Sequence, residues 1–153
     1  VFSNVLFHNN AGTGFSRAED SFGAENYINT SNDTLTDYDL DGDLDIIEYG
    51  QGTGISILEN RLSDNNTVTF VFDDERGNRA CIGCKIIIET ASGKQIREIK
   101  ASGGFMSFDE PLAQFGLGAD TLIKSLEIHW STGEKIVIEH QLEVNKRYKI
   151  SRR

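Results

Sequence analysis

Apolar and polar residues alternate most regularly at Leu126, Glu127, Ile128, His129 and Trp130. A period of two turns successive side chains to opposite faces, so Leu126, Ile128 and Trp130 are predicted to share the buried face of a strand, with Trp130 in the core. Runs rich in β-branched residues at 68–72, 85–90, 96–100, 136–138 and 148–150 read as further strands. Shorter apolar pieces occur earlier, at 5–7, 44–47 and 55–58, separated by stretches of Asn, Gly and Asp. Almost no segment carries helical periodicity, and 15 glycines stand against a single proline, so the predicted class is all-β.

The texture changes after the polar stretch 63–66, which places a boundary near Asn66 and divides the chain into residues 1–66 and 67–153. In the second part, the turns at 91–93 and 131–133 are short enough to join neighbouring strands as hairpins. A β-sandwich of about six or seven strands follows. In the first part, Val5-Leu6-Phe7-His8-Asn9-Asn10 is echoed by Ile57-Leu58-Glu59-Asn60-Arg61-Leu62. Such an echo suggests propeller blades, and because one blade cannot bury both its faces, it is expected to dock on further blades or another domain.

Charge narrows the partners. With 15 Lys and Arg against 24 Asp and Glu, the net charge of -9 argues against nucleic acid and for cations. The basic stretch 146–153 reads as a solvated tail. No apolar run is long enough to span a membrane, and a chain starting at Val1 reads as a mature or trimmed piece, with any signal peptide upstream.

The acidity is concentrated in Asp37-Tyr38-Asp39-Leu40-Asp41-Gly42-Asp43-Leu44-Asp45, with carboxylates at positions one, three, five and nine and glycine at six. Calcium takes six to eight oxygens at about 2.3–2.6 Å, and alternate residues of a tight loop can aim oxygens at one centre, the Asp43 carbonyl adding another. Asp37, Asp39, Asp41, Asp43 and Asp45 are therefore the candidate metal ligands, with Ca2+ the expected cofactor. Their mutual repulsion implies a loop ordered by the cation. Glu48 at position twelve also completes an EF-hand pattern. That motif needs a flanking helix on each side, and neither 29–34 nor 49–54 favours one. The preferred geometry starts a strand directly after the loop, with Asp45 a direct ligand and Glu48 at the surface.

Other chemistry is sparse. Cys81 and Cys84 are too few for a disulfide framework or a complete zinc site. They read first as two buried small hydrophobes, second as a local disulfide and third as a redox pair; on a regular strand their side chains would point apart. Gly103-Gly104 and Gly116-Leu117-Gly118 read as turns, bulges or close backbone approaches, and Phe105 and Met106 are expected to plug the sandwich end rather than meet a partner. His8, His129 and His140 are scattered, no nucleophile elbow is present, and Gly50-Gln51-Gly52-Thr53-Gly54 reads as a turn. Sequons at Asn29, Asn32 and Asn65 fit exposed loops.

Residues 37–46, the following glycine-rich turn and Ile57-Leu58-Glu59-Asn60 resemble FG-GAP or VCBS repeats across about the first 62 residues. Leu6-Phe7-His8-Asn9-Asn10 with Gly12-Thr13-Gly14-Phe15 is similar to the end of a preceding repeat. From about 66 to 150, Ile82-Gly83, Ala101-Ser102-Gly103-Gly104-Phe105-Met106-Ser107, Phe115-Gly116-Leu117-Gly118 and residues 126–133 resemble the ASPIC and UnbV domain. Departures fall at Ser131, where that family usually has proline, and at Phe108 and Gln114. The first resemblance implies partial β-propeller blades with a structural calcium loop. The second implies a domain that commonly follows such repeats in secreted and bacterial surface proteins. Together they imply a non-enzymatic extracellular or cell-surface interaction module, contacting further propeller blades and a protein or glycan partner. The alternative is an accessory domain of a secreted carbohydrate-active or biosynthetic enzyme. Its mark would be Glu127 or Glu139 paired with another acid at about 5–10 Å in a deep pocket.

Overall fold

The computed structural model describes residues 5–10, 12–18, 30–61 and 64–153. Asn29 of the first sequon, Leu62 of the internal echo and Ser63 of the polar stretch lie outside the described residues. The described chain is built of strands and turns, as the all-β expectation requires, and no helix in it is long and apolar enough to cross a membrane.

β1 (Leu6–Asn9) and β2 (Phe15–Ala18) form an antiparallel hairpin. β3 (Thr30–Thr36), β4 (Asp45–Gly50) and β5 (Gly54–Leu58) form an antiparallel meander with β4 in the middle. β4 and β5 coincide with predicted apolar pieces, whereas β3 is polar and was not expected. Its order comes from pairing, Thr34 opposite Ile47 and Thr36 opposite Asp45. Glu48, expected at the surface, is 2% exposed, because its central strand is flanked by β3 at Asp33 and by β5 at Ser56.

The rest of the chain runs β6 (Asn66–Asp74), β7 (Lys85–Glu89), β8 (Lys94–Glu98), β9 (Ala113–Gly118), β10 (Leu122–Ile123), β11 (Ser125–His129), β12 (Lys135–Ile138), β13 (Leu142–Glu143) and β14 (Lys146–Arg152). One sheet has the order β12-β11-β7-β8 and a second β14-β6-β9, with β10 and β13 as a small separate pair. Hairpins β7–β8 and β11–β12 turn where predicted. Leu117 is bulged out of the β6–β9 ladder, so the glycines around it mark a strand irregularity. The basic stretch 146–153 is not a solvated tail. It forms β14, parallel to β6 from Lys146 opposite Val68 to Arg152 opposite Asp74, and Arg152 is buried.

Period-two alternation supplies the core. Val68, Phe70 and Phe72 of β6 and Phe115 of β9 meet Ile86, Ile88, Leu126 and Ile128 of the other sheet in one apolar cluster. Trp130 is buried there as predicted, and its ring meets Phe72 edge to face at 5.8 Å, tying the two sheets.

Two further expectations are corrected. Cys81 and Cys84, read first as unbonded hydrophobes, form a disulfide with Cα atoms 5.4 Å apart. Cys81 lies in a turn at φ 57°, off any regular strand, so the two side chains are not turned apart. Phe105 and Met106, expected to plug the core, are 75% and 83% exposed. Their segment is held outside the core, along the edge of β3 away from β4: Asn32 Nδ2 donates to Phe105 O and Thr34 Oγ1 to Phe108 O.

Candidate metal centre

Residues 37–44 link β3 to β4, so the aspartate loop is flanked by strands on both sides. Gly42 adopts φ 100°, a left-handed conformation that side-chain-bearing residues rarely hold, which accounts for glycine at position six. Asx-type hydrogen bonds shape the rest. Asp39 Oδ1 accepts from Asp41 N at 3.2 Å, Asp41 Oδ1 from Asp43 N at 3.0 Å, and Asp37 Oδ1 from Gly42 N at 3.4 Å. Asp45, almost fully buried, accepts from Tyr38 N at 2.8 Å and from Asn60 N at 2.9 Å, closing the loop onto the end of β5.

Of the five predicted ligands, Asp37, Asp39 and Asp45 are brought together, each with one carboxylate oxygen within 4.8 Å of the others. Ligands on opposite sides of a calcium ion at about 2.4 Å lie about 4.8 Å apart, so the three fit around one such ion. Asp41 is exposed and outside this triad. Asp43, expected to contribute its carbonyl, also carries a buried Oδ1 with no hydrogen-bond partner. A buried acceptor without a donor costs free energy that a hard cation would recover. The residues therefore suit calcium: all donors are oxygens, three converge, and a further carboxylate oxygen of the same loop, Asp43 Oδ1, is orphaned.

The electrostatics agree with that fit. Burial, and then Asp41, Asp45, Asp39 and Asp37, push the Asp43 carboxyl up to about 6. Asp37 is also raised, chiefly by burial and further by Asp41 and Asp39, with the Gly42 N–H and Arg147 acting in the opposite direction. The surrounding aspartates thus favour the protonated forms of Asp43 and Asp37, and a divalent cation relieves the same repulsion.

Several groups around the loop were not anticipated from sequence. Arg147 Nη1 lies 3.4 Å from Asp37 Oδ2, and its Nη2 bonds Glu110 Oε1 at 2.5 Å. Gln114 Nε2 donates to Gly42 O at 2.8 Å. Between the loop and β14 lies a cavity of about 90 Å³ lined by Asp37, Asp41, Thr67, Asn145 and Arg147 among others. The only advance signal was the cluster of basic residues after Lys146, and the linear sequence gives no hint of what they face.

Elsewhere, Glu127, named for the hydrolytic alternative, contacts Lys135 Nζ at 2.5 Å and His129 Nε2. Glu139 and His140 are exposed.

Most of the second part of the chain corresponds to a known domain family. A model described as ASPIC and UnbV matches residues 74–153, and the chain belongs to that family. The match begins inside the structure at the last residue of β6, whose earlier residues complete the same sheet. Over 106 residues the chain is 32% identical to cartilage acidic protein 1 of Homo sapiens, an alignment covering 67% of this chain and 16% of that protein. The Mus musculus protein of the same name is 31% identical over 106 residues, with the same coverage. That of Xenopus tropicalis is 32% identical over 104 residues, covering 65% of this chain and 16% of the relative. The chain thus spans about 16% of the length of the curated relatives it matches.

Proposed function

We propose that this chain is an extracellular or cell-surface interaction module, in which an FG-GAP/VCBS-type blade region binds calcium and an ASPIC/UnbV β-sandwich packs beside it. The observation that carries the reading is the convergence of Asp37, Asp39 and Asp45 in a loop that also holds the orphaned Asp43 Oδ1. The ion's role is structural: it neutralises a loop that otherwise concentrates negative charge. A disulfide between Cys81 and Cys84 suits an oxidising compartment, and the relatives' name, cartilage acidic protein 1, suits the same location. Exposed Phe7, Phe15 and Ile55 on the first part are apolar surface of the kind that neighbouring propeller blades cover. The outward-facing partner is a protein or a glycan.

The test is calcium titration by calorimetry on the whole chain, with Asp39→Asn and Asp43→Asn alongside. One ion per chain is expected, with affinity weakened at least about tenfold in each variant, the equivalent of about 1.4 kcal/mol. Absence of binding heat together with an unchanged thermal midpoint in calcium and in chelator would refute the calcium reading.

A further inference from the structure

We infer that calcium binding is coupled to the docking of the two parts of the chain through Arg147 and Gln114, so that an ion in the aspartate loop stabilises the ASPIC/UnbV core as well. This rests on the calcium reading of the loop. Asp37 presents one oxygen to each side: Oδ1 accepts from Gly42 N within the loop, while Oδ2 faces Arg147 of β14. The other arm of Arg147 holds Glu110, whose Oε2 accepts from Thr36 Oγ1 at 3.0 Å, where β3 enters the loop. On the opposite side of the turn, Gln114 of β9 donates to Gly42 O at 2.8 Å. Gly42 also packs closely on β6, since a Cβ placed there would lie 3.1 Å from Thr67 Oγ1. The ligand-bearing loop is therefore braced by side chains from β6, β9 and β14 and cannot change shape without moving them.

A ligand that selects one loop shape stabilises every contact that shape makes, and by reciprocity those contacts raise its affinity by the same factor. Arg147 is then a positioning residue. It fixes the outer oxygen of Asp37 and offsets part of the repulsion among the carboxylates without touching the ion.

Trp130 makes the coupling measurable, because it is the chain's single tryptophan and lies buried in the core of the second part. Thermal unfolding would be followed by Trp130 emission in calcium and in chelator, with calorimetry giving the calcium Kd, for wild type and the Arg147→Gln/Gln114→Ala double variant. At a hundredfold excess over Kd, the wild-type midpoint is expected to rise by about 5–10 °C. The double variant is expected to bind calcium about 3- to 30-fold more weakly and to lose most of the Trp130 shift, with Arg147→Lys restoring part of it. If the double variant fails to give native Trp130 emission, Gln114→Ala alone, which removes one neutral contact, should show a reduced shift. A wild-type chain that binds calcium without moving the Trp130 midpoint overturns the coupling and leaves the calcium reading intact. A full shift in the variants overturns the assignment to these residues, and wild type without calcium binding overturns both readings.

Discussion

The guanidinium of Arg152 lies 4.1 Å from the centre of the Trp130 ring, and the same group pairs with Asp74 and with Glu134 at 2.7 Å. The last strand is thereby anchored to the core by a buried charge sandwiched between an aromatic face and two carboxylates. Removing the cation strands Asp74, which is almost wholly buried. Arg152→Met is therefore expected to lower the thermal midpoint by about 10 °C, with a changed Trp130 emission maximum in the folded state.

Acid should act on the Arg152–Asp74 pair and on two other carboxylates with cationic partners. Asp74 is held below its ordinary value chiefly by the Arg152 hydrogen bonds, Asp73 by Lys149 and Arg79, and Glu127 by Lys135 and His129. Below about pH 4 the unfolded chain binds protons that the folded chain refuses, so folding stability falls as pH drops through the depressed values. Between pH 5 and 8 this contribution is flat. Urea midpoints read from Trp130 in chelator should decline below about pH 4, and Arg152→Met should remove the Asp74 share of that decline.

The Cys81–Cys84 bridge closes a short ring, for which chain entropy gives about 2 kcal/mol of stabilisation. Both cysteines are 0% exposed. Dithiothreitol should therefore leave the native chain unlabelled by a thiol reagent, with labelling appearing only as denaturant opens the fold. A Cys81→Ala/Cys84→Ala variant should lose about 2 kcal/mol in urea unfolding.

Two phenylalanines of the same domain should behave oppositely. Phe115 is fully buried against Phe70, and Phe115→Ala is expected to cost about 3–5 kcal/mol. Phe105→Ser should change stability by less than about 0.5 kcal/mol, because its ring touches solvent. Equal losses in the two variants would show that the 105–110 segment packs more deeply than its exposure indicates.

Close approach, rather than backbone conformation, explains Gly103. A Cβ there would lie 2.2 Å from the Asp109 carboxyl carbon, and Asp109 Oδ1 accepts from Leu35 N at 2.9 Å. Gly103→Ala should displace that carboxylate from β3 at a cost of about 1–2 kcal/mol and quicken proteolysis between the two parts, readable on gels.

What could be read from the linear chain was whatever a strand writes into its own side chains. Leu126, Ile128 and Trp130 alternate because one face is buried, and the aspartate spacing is dense enough to define a loop without its surroundings. Glu48 misled because an acidic side chain in a polar neighbourhood carries no mark of lying on a central strand. β3 was missed for the complementary reason: Thr30 to Thr36 hold almost no apolar signal, and their order comes from partners β4 and residues 105–110, the latter some seventy positions away. The Cys81–Cys84 bond depended on a left-handed turn that composition does not announce. Arg147 and Gln114 illustrate the same limit at the candidate site, since the parallel pairing that brings β14 beside the loop joins residues nearly eighty apart.

The parallel pairing of β6 and β14 has a mechanical consequence. The first and last strands of the second part lie side by side, so tension applied between residue 66 and residue 152 pulls along both strands in opposite directions. Their ladder, from Lys146 opposite Val68 to Arg152 opposite Asp74, is loaded in shear, and its bonds must yield together rather than peel one at a time. A domain so stitched resists stretching best along the line joining residues 66 and 152.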